Sequence, residues 1–251
     1  MTAPLLTAPP ASLHVLDYGL FRVHANGRVI GICGYLITTK AGEHVLIDTG
    51  FPAKYAKDSA AASAEDGLGS FGEVLACEPR NLPAAQLALC GVQPEQIDLM
   101  IQSHSHIDHI GGLADFPQAP VLIGAAERAL PRPLYFGGRQ PLEWPDRRYV
   151  TVKDDTEIGP GFHVLQAPGH APGQLAFLVD LPQTGPVLLT SDAISRPAEI
   201  EEGFDTAPEP ARACASAERI LALADRRGAF VIFGHCPRQW PHLLKAPDAY
   251  H

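Results

Sequence analysis

The sequence has few cysteines, and none of them form a CxxC pair. Its five cysteines are scattered through 251 residues, and their number is odd. In a chain of this length, that pattern indicates reduced thiols in a reducing compartment and not a disulfide framework. We therefore expect a cytoplasmic protein without disulfides.

Long apolar runs and targeting signals are missing as well. No apolar run approaches the roughly 18 residues that a membrane span needs. Residues 1–12 combine several prolines with no lysine or arginine, a composition that does not match a secretory signal peptide. We expect these residues to form a loose N-terminal arm, and we expect no membrane partner.

Positive charge is scarce. The chain has 19 lysines and arginines against 28 aspartates and glutamates, which gives a formal net charge of −9. This balance argues against nucleic acid or an anionic membrane as the main partner and leaves a small molecule. No repeat, low-complexity segment or linker divides the chain, so we expect one domain over residues 1–251. The residues give no oligomeric state.

Short apolar runs separated by glycine and proline predominate, and they are typical of β-strands. The predicted strands are 13–18, 28–38, 43–48, 97–102, 120–124, 149–152, 162–166, 174–180, 186–191 and 229–233. The predicted helices are 81–90, 125–130 and 208–227. Strands with interspersed helices favour sheets packed face to face with helices outside. The segment 51–72 lacks periodicity, and we expect a mobile excursion, with room for a short helix, that could cover a site.

One short stretch concentrates ligand-type side chains. His104, His106, Asp108 and His109 occupy four of six consecutive positions, although the chain has only 11 histidines. Imidazole nitrogens and carboxylate oxygens are the ligands that zinc and similar divalent metals prefer. The stretch follows a predicted buried strand and precedes two glycines, which allow a sharp turn and close backbone approach. The sequence therefore predicts a metal site at this strand end.

Three later residues share one local pattern, a polar side chain at the end of an apolar strand beside a glycine or small residue. They are His170, Asp192 and His235. Each alone is a weak signal, because a lone histidine is more often a satisfied polar group. Together with the cluster they make seven candidate ligands, and a single tetrahedral zinc takes four. Seven ligands with one shared carboxylate match two metals about 3.5–4 Å apart. We expect two divalent ions, with zinc the best match.

Two further features have alternative interpretations. Asp48, at a strand end before a Thr-Gly turn, either caps the turn through its own backbone or orients a ligand histidine. The segment 131–145 is rich in proline, glycine and aromatic residues and excludes a regular element. Its Tyr135 and Phe136 form either a satellite hydrophobic cluster or one wall of a substrate pocket.

The motif His-x-His-x-Asp-His, followed by spaced His, Asp and His at strand ends, resembles the metallo-β-lactamase superfamily over nearly the whole chain. The resemblance implies an α/β fold, an αββα four-layer sandwich, and a single metallo-hydrolase domain. It also divides the seven candidate ligands into three roles. It implies one metal on His104, His106 and His170, the other on Asp108, His109 and His235, and a bridge by Asp192.

Within that superfamily the chain is most similar to the N-acyl-homoserine lactonases. The matching pieces are 102–104 with the cluster, 167–173, 185–193 and 245–250. Two positions depart from the usual pattern. Ser195 stands three residues after the bridging aspartate, where these lactonases usually carry a tyrosine that assists at the substrate carbonyl. Gln174 stands where they often carry histidine.

The resemblance implies a dinuclear hydrolase that opens N-acyl-homoserine lactone (quorum quenching) or a related lactone through a metal-bridging hydroxide. Asp108 is the expected catalytic residue, because it could pass a proton to the leaving alkoxide. Ser195 is too short to replace a phenol directly. The same metal pair could instead hydrolyse another small ester, a thioester, a β-lactam or a phosphodiester. A non-catalytic metal-binding sensor is the alternative outside enzymes.

Overall fold

The computed structural model describes residues 4–251, and in that range it contains a seven-stranded sheet in the order β4-β1-β2-β3-β5-β6-β7. Its strands are β1 (Pro10–Val23), β2 (Val29–Thr39), β3 (His44–Ile47), β4 (Gly72–Ala76), β5 (Leu99–Gln102), β6 (Val121–Gly124) and β7 (Tyr149–Val152). The strands from β4 to β3 pair antiparallel. Those from β3 to β7 pair parallel, so the sheet is mixed.

A five-stranded sheet follows the order β12-β11-β10-β9-β8. Its strands are β8 (Thr156–Gly159), β9 (Phe162–Gln166), β10 (Leu175–Leu181), β11 (Gly185–Leu189) and β12 (Phe230–Ile232). Only the β11–β12 pair is parallel among these described strands.

The helices lie between and after the strands. They are α1 (Lys54–Lys57), α2 (Ser59–Asp66), α3 (Pro83–Leu89), α4 (Ile107–Ile110), α5 (Ala125–Arg128), α6 (Ala198–Glu201) and α7 (Pro210–Arg227). Short 3-10 turns occupy Leu68–Ser70, Pro79–Asn81, Pro94–Gln96, Leu113–Asp115, Ser191–Ile194 and Trp240–His242. Across residues 4–251, no helix has both the length and the apolar character needed to cross a membrane.

Buried apolar clusters separate the layers of the fold. Val15 of β1 and Ile47 of β3 share the cluster between the two sheets with Phe177 of β10. The next residue along β1, Leu16, belongs instead to a cluster that includes Leu87 of α3. This is expected because successive side chains of a strand point to opposite faces. The first sheet is therefore covered by helices on one face and by the second sheet on the other.

The outer face of the second sheet has its own cluster. Leu178 of β10 and Leu188 of β11 share it with Ala217 and Ile220 of α7. The order of layers is therefore helix, sheet, sheet, helix, and the predicted αββα sandwich is confirmed. The ten predicted strands and three predicted helices are all present; 149–152 and 162–166 have the predicted ends, and the others have shifted ends. The sequence does not predict β4 or β8, because each is a short strand at a sheet edge.

Two segments differ from expectation. Residues 51–72 contain α1 and α2 and are packed, since Tyr55 is buried and its hydroxyl donates to Asp66 Oδ2 at 2.8 Å. The prediction of a loose arm over residues 1–12 is wrong from Leu6 onward. Leu6 is 2% exposed in the core between the sheets, its backbone N donates to the Ile158 carbonyl, and β1 begins at Pro10. Residues 1–3 lie outside the described residues, and one domain over 1–251 stays a prediction.

Helix α3 offers a matched pair of leucines for testing the packing. Leu87 is fully buried, whereas Leu89 is 50% exposed, because positions two apart lie on nearly opposite sides of a helix. We expect Leu87→Ala to lower the free energy of unfolding by about 2–5 kcal/mol. Leu89→Ala should change it by about 0.5 kcal/mol or less. Chemical denaturation followed by circular dichroism measures both, and equal losses would contradict the assigned packing of α3.

Candidate metal centre

The seven candidate ligands all follow strand ends, although they come from both sheets. His104 and His106 follow β5, Asp108 and His109 lie in α4, His170 follows β9, Asp192 lies in the turn after β11, and His235 follows β12. The structure brings all seven together at one edge of the sandwich. The convergence is what the sequence predicts, because strand ends from packed sheets meet at a common rim.

Three imidazoles form one group. His106 Nδ1 lies 3.0 Å from His104 Nε2 and 2.9 Å from His170 Nε2. Burial, reinforced by neighbouring histidines, lowers the pKa of His104 well below its ordinary value. Burial also lowers the pKa of His170 to about 4. These imidazoles are therefore neutral at pH 7, which is the form that binds a metal.

Asp108, His109 and His235 form the second group. Asp108 Oδ2 lies 3.5 Å from His235 Nε2 and 3.7 Å from His109 Nε2. Burial alone would lower the pKa of His235, but Asp192 and Asp108 outweigh it and raise the pKa to about 9. The same competition, led by Asp108, raises the pKa of His109 well above its ordinary value. The carboxylates therefore favour positive charge at this position.

The Asp192 carboxylate lies between the two groups. Its Oδ1 is 3.0 Å from His235 Nε2 and 3.4 Å from His109 Nε2. Its Oδ2 is 3.3 Å from His170 Nε2 and 3.9 Å from His104 Nε2. Burial would raise the pKa of Asp192, but the histidines, led by His235, lower it well below the ordinary range. One ionised carboxylate thus presents a separate oxygen to each group.

The inner atoms of the cluster fit a cation. Within residues 4–251, His109 Nε2, His235 Nε2 and Asp192 Oδ1 are buried, and the two nitrogens lie 3.4 and 3.0 Å from the oxygen, but none of the three atoms makes a hydrogen bond with suitable angles. A buried polar atom without a partner is costly, and native structures rarely leave several together. Imidazole and carboxylate donors at these separations match divalent metals such as zinc. The residues present therefore fit the metal pair that the sequence predicts.

Asp48 lies directly behind His109. Its Oδ2 is 2.8 Å from His109 Nδ1 and accepts from Ser103 Oγ at 2.6 Å. Its Oδ1 accepts from the Ser103 backbone N at 2.8 Å and from Gln102 Nε2 at 3.0 Å. A carboxylate on the outer nitrogen of a histidine fixes the ring orientation. This contact is the one that the orienting interpretation of Asp48 requires.

Two other ligand histidines also have hydrogen-bond partners at their outer ring nitrogens. His235 Nδ1 lies 2.8 Å from the Gly31 carbonyl oxygen, and His104 Nδ1 lies 3.1 Å from Ser103 Oγ. Gly31 has no room for a side chain, because an added Cβ would lie 2.1 Å from the Trp240 ring. These contacts direct the opposite nitrogens, both Nε2, toward the centre of the cluster.

Sequence reasoning missed Glu127. This fully buried side chain accepts from the Ser105 backbone N at 2.9 Å and from Ser105 Oγ at 2.5 Å through Oε1. Its Oε2 accepts from the Gly173 backbone N at 3.1 Å. The carboxylate therefore joins the loop of His104 to the loop of His170. The available signal was its position just after an apolar strand, which is the pattern that the candidate ligands share.

A cavity of about 410 Å³ opens onto the cluster. The predicted pocket residues Tyr135, Phe136 and Ser195 all line it. Asp108 and His170 also line it, with side chains 19% and 27% exposed. Sequence reasoning did not name four other lining phenylalanines, although two of them fall in the segment 51–72 that was expected to cover a site. They are Phe21, Phe51, Phe71 and Phe204.

Two curated relatives of this chain are N-acyl homoserine lactonases. An N-acyl homoserine lactonase AttM of Azorhizobium caulinodans is 31% identical over 241 residues, covering 86% of each chain. The N-acyl homoserine lactonase AiiA of Bacillus thuringiensis subsp. kurstaki is 29% identical over 208 residues, covering 80% of this chain and 79% of AiiA.

Solved structures agree with this result. An N-acyl homoserine lactone hydrolase, with the product N-hexanoyl-L-homoserine bound at its catalytic metal centre, superposes with a TM-score of 0.82. It is 25% identical, and the match covers 98% of this chain and 100% of that one. The sequence model of the family described as the metallo-beta-lactamase superfamily matches residues 34–235. The chain belongs to the metallo-beta-lactamase superfamily.

Proposed function

We propose that this protein is a dinuclear metal-dependent hydrolase that opens the ring of N-acyl-homoserine lactones or related lactones. The observation that carries the proposal is the Asp192 carboxylate, which presents one oxygen to each of two three-residue ligand groups. Two adjacent divalent ions with a shared carboxylate are a common arrangement for hydrolysis. The lactonases named above are similar to this chain over most of its length, and this similarity supports a lactone as the substrate.

The proposed metals are zinc, because the donors are imidazoles and carboxylates. His104, His106 and His170 would hold one ion, Asp108, His109 and His235 would hold the other, and Asp192 would contribute to both. When bound, such ions supply an activated water at neutral pH and polarise a carbonyl oxygen. Asp48 orients His109 through the contact at Nδ1.

The residues around the cavity contribute the remaining chemistry. Asp108 is partly exposed at the cavity, so its carboxylate can take up a proton and release it to the leaving alkoxide. Phe21, Phe51 and Phe136 provide apolar surface for an acyl chain and limit water near the reacting carbonyl. The Ser195 hydroxyl lines the same cavity but is too short to reach the substrate carbonyl as a phenol does, so it acts through a water.

The proposed partner is a small molecule, and the proposed location is the cytoplasm. The five cysteines are all free, and Cys33 and Cys236 are buried. Unpaired thiols are typical of proteins in reducing compartments.

The direct test combines metal content with turnover. We expect protein loaded with zinc to hold two metals per chain and to release acid from N-hexanoyl-homoserine lactone, as read with a pH dye in weak buffer. A chelator should abolish the release, and added zinc should restore it. A thioester and a β-lactam assayed in parallel test the other substrates of such a metal pair. Full turnover by metal-free protein, or two metals without release from any lactone, would refute the proposal.

The shared role of the Asp192 carboxylate can be tested by substitution. We expect Asp192→Asn to lower the metal content and to lower kcat/KM at least tenfold, because an amide cannot supply two anionic oxygens. Asp180→Asn is the matched control, since Asp180 pairs with Arg227 on the surface. Metal content by mass spectrometry and lactone turnover measure both variants. An Asp192→Asn protein with two metals and unchanged turnover would contradict the shared role.

The orienting role of Asp48 predicts a smaller effect. We expect Asp48→Asn to weaken metal affinity or activity by about 10–100-fold, the usual effect of removing a partner that orients a ligand. Competition with a chromogenic chelator measures the affinity. Unchanged affinity in a folded Asp48→Asn protein would support the turn-capping interpretation instead.

A further inference from the structure

The tip of the β1–β2 hairpin forms part of the cavity lining. Asn26 and Arg28 both lie on it. The tip is held in place by short hydrogen bonds, with the Val23 backbone N donating to the Arg28 carbonyl at 2.8 Å. The His24 backbone N donates to the Phe71 carbonyl at 2.9 Å, which ties the hairpin to a second part of the lining. Arg28 is therefore presented to the cavity by a fixed backbone.

The Arg28 guanidinium has donors without acceptors. Its Nε and Nη1 atoms are buried, and no residue from 4 to 251 accepts a hydrogen bond from either. These two atoms have no accessible surface, so a ligand in the cavity cannot reach them. The remaining nitrogen, Nη2, is not buried and makes no hydrogen bond within residues 4–251. Because arginine carries only donors and Arg28 lines the cavity, a ligand there can supply an acceptor to Nη2 and gains affinity by doing so. The cavity beside the metal centre is where such a ligand would bind.

The charges around Arg28 are already balanced. On the facing segment, Arg196 pairs with Glu202, with Nη1 2.8 Å from Oε1, and Glu199 accepts from the Ser195 backbone N at 2.7 Å. Burial and the nearby Arg196 lower the pKa of Arg28, while Glu199 and Glu202 act in the opposite direction. Two cations and two carboxylates leave no excess positive charge to be neutralised. A neutral oxygen is therefore a better match for the free donors than a second anion.

The position of these groups relates them to the substrate. Ser195, Arg196 and Glu199 line the cavity and follow Asp192 closely along the chain. Asp192 lines the same cavity, so this segment lies near the metal centre. Arg28 faces the segment but belongs to none of the ligand groups. A substrate whose reacting carbonyl is at the centre can extend its remaining part toward Arg28.

We propose that Arg28 is a specificity-determining residue that donates hydrogen bonds to the amide carbonyl oxygen of an N-acylated lactone. This inference rests on the proposed lactonase function and deepens it. It assigns the enzyme a preference for lactones that carry an acylamino group over lactones of similar size that carry only an alkyl chain.

The test compares two substrates, N-hexanoyl-homoserine lactone, which has the amide, and γ-decalactone, which lacks it. We expect Arg28→Met to lower kcat/KM for the amide substrate about tenfold. The value for γ-decalactone should change less than about twofold, so the preference falls. Arg28→Gln keeps a donor and should retain an intermediate preference. Arg22→Met is the control, because Arg22 lies on the same hairpin, is exposed and pairs with Glu73.

The outcomes distinguish this inference from the proposed function. Equal losses on both lactones in Arg28→Met and Arg28→Gln would overturn the amide preference and leave lactone hydrolysis intact. An unchanged ratio of the two kcat/KM values in both variants would overturn it as well. Failure of the metal-loaded wild-type protein to open either lactone would overturn the function and the inference together. A thermal unfolding midpoint within a few degrees of wild type shows that a variant is folded.

Discussion

The placement of one carboxylate between two sets of ligand side chains constrains the rest of this structure. Asp192 can face both sets only if the turns after β5, β9, β11 and β12 meet at one rim. The two sheets must therefore be stacked with those strand ends together, and the apolar cluster between them fixes that stacking. The cost of concentrating polar atoms in a buried place is offset only if a cation is bound there. The same stacking of the two sheets is therefore required both for the fold and for bringing the metal ligands together.

Hydrogen bonds behind the ligand side chains also hold the site in place. Asp48, Gly31 and Ser103 hold the outer nitrogens of histidines, so the inner nitrogens converge without adjustment. Glu127 links two ligand loops through backbone donors. Such preorganisation keeps a site within the narrow geometry that catalysis needs. Ser195 and Arg28 also line the cavity but belong to neither ligand group, so they can differ without disturbing the ligand geometry.

The sequence predicts the architecture and the seven clustered residues well because both depend on local patterns. Short apolar runs define the central strands, and the candidate ligands follow the ends of such runs. Short edge strands such as β4 and β8 lack the pattern, since one face meets solvent. Leu6 was misjudged because its burial depends on a distant strand. Arg28 could not be identified, because its surroundings come from segments far away in the chain. Glu127 follows an apolar strand as the ligands do, but its contacts with two distant loops cannot be read from that position.

The most direct test of the central claim is anomalous X-ray scattering at the zinc edge from crystals of the zinc-loaded protein. The account predicts two peaks about 3.5–4 Å apart. One should lie among His104, His106 and His170 and the other among Asp108, His109 and His235, with an Asp192 oxygen bound to both. A single peak, or none within this cluster, would contradict the account.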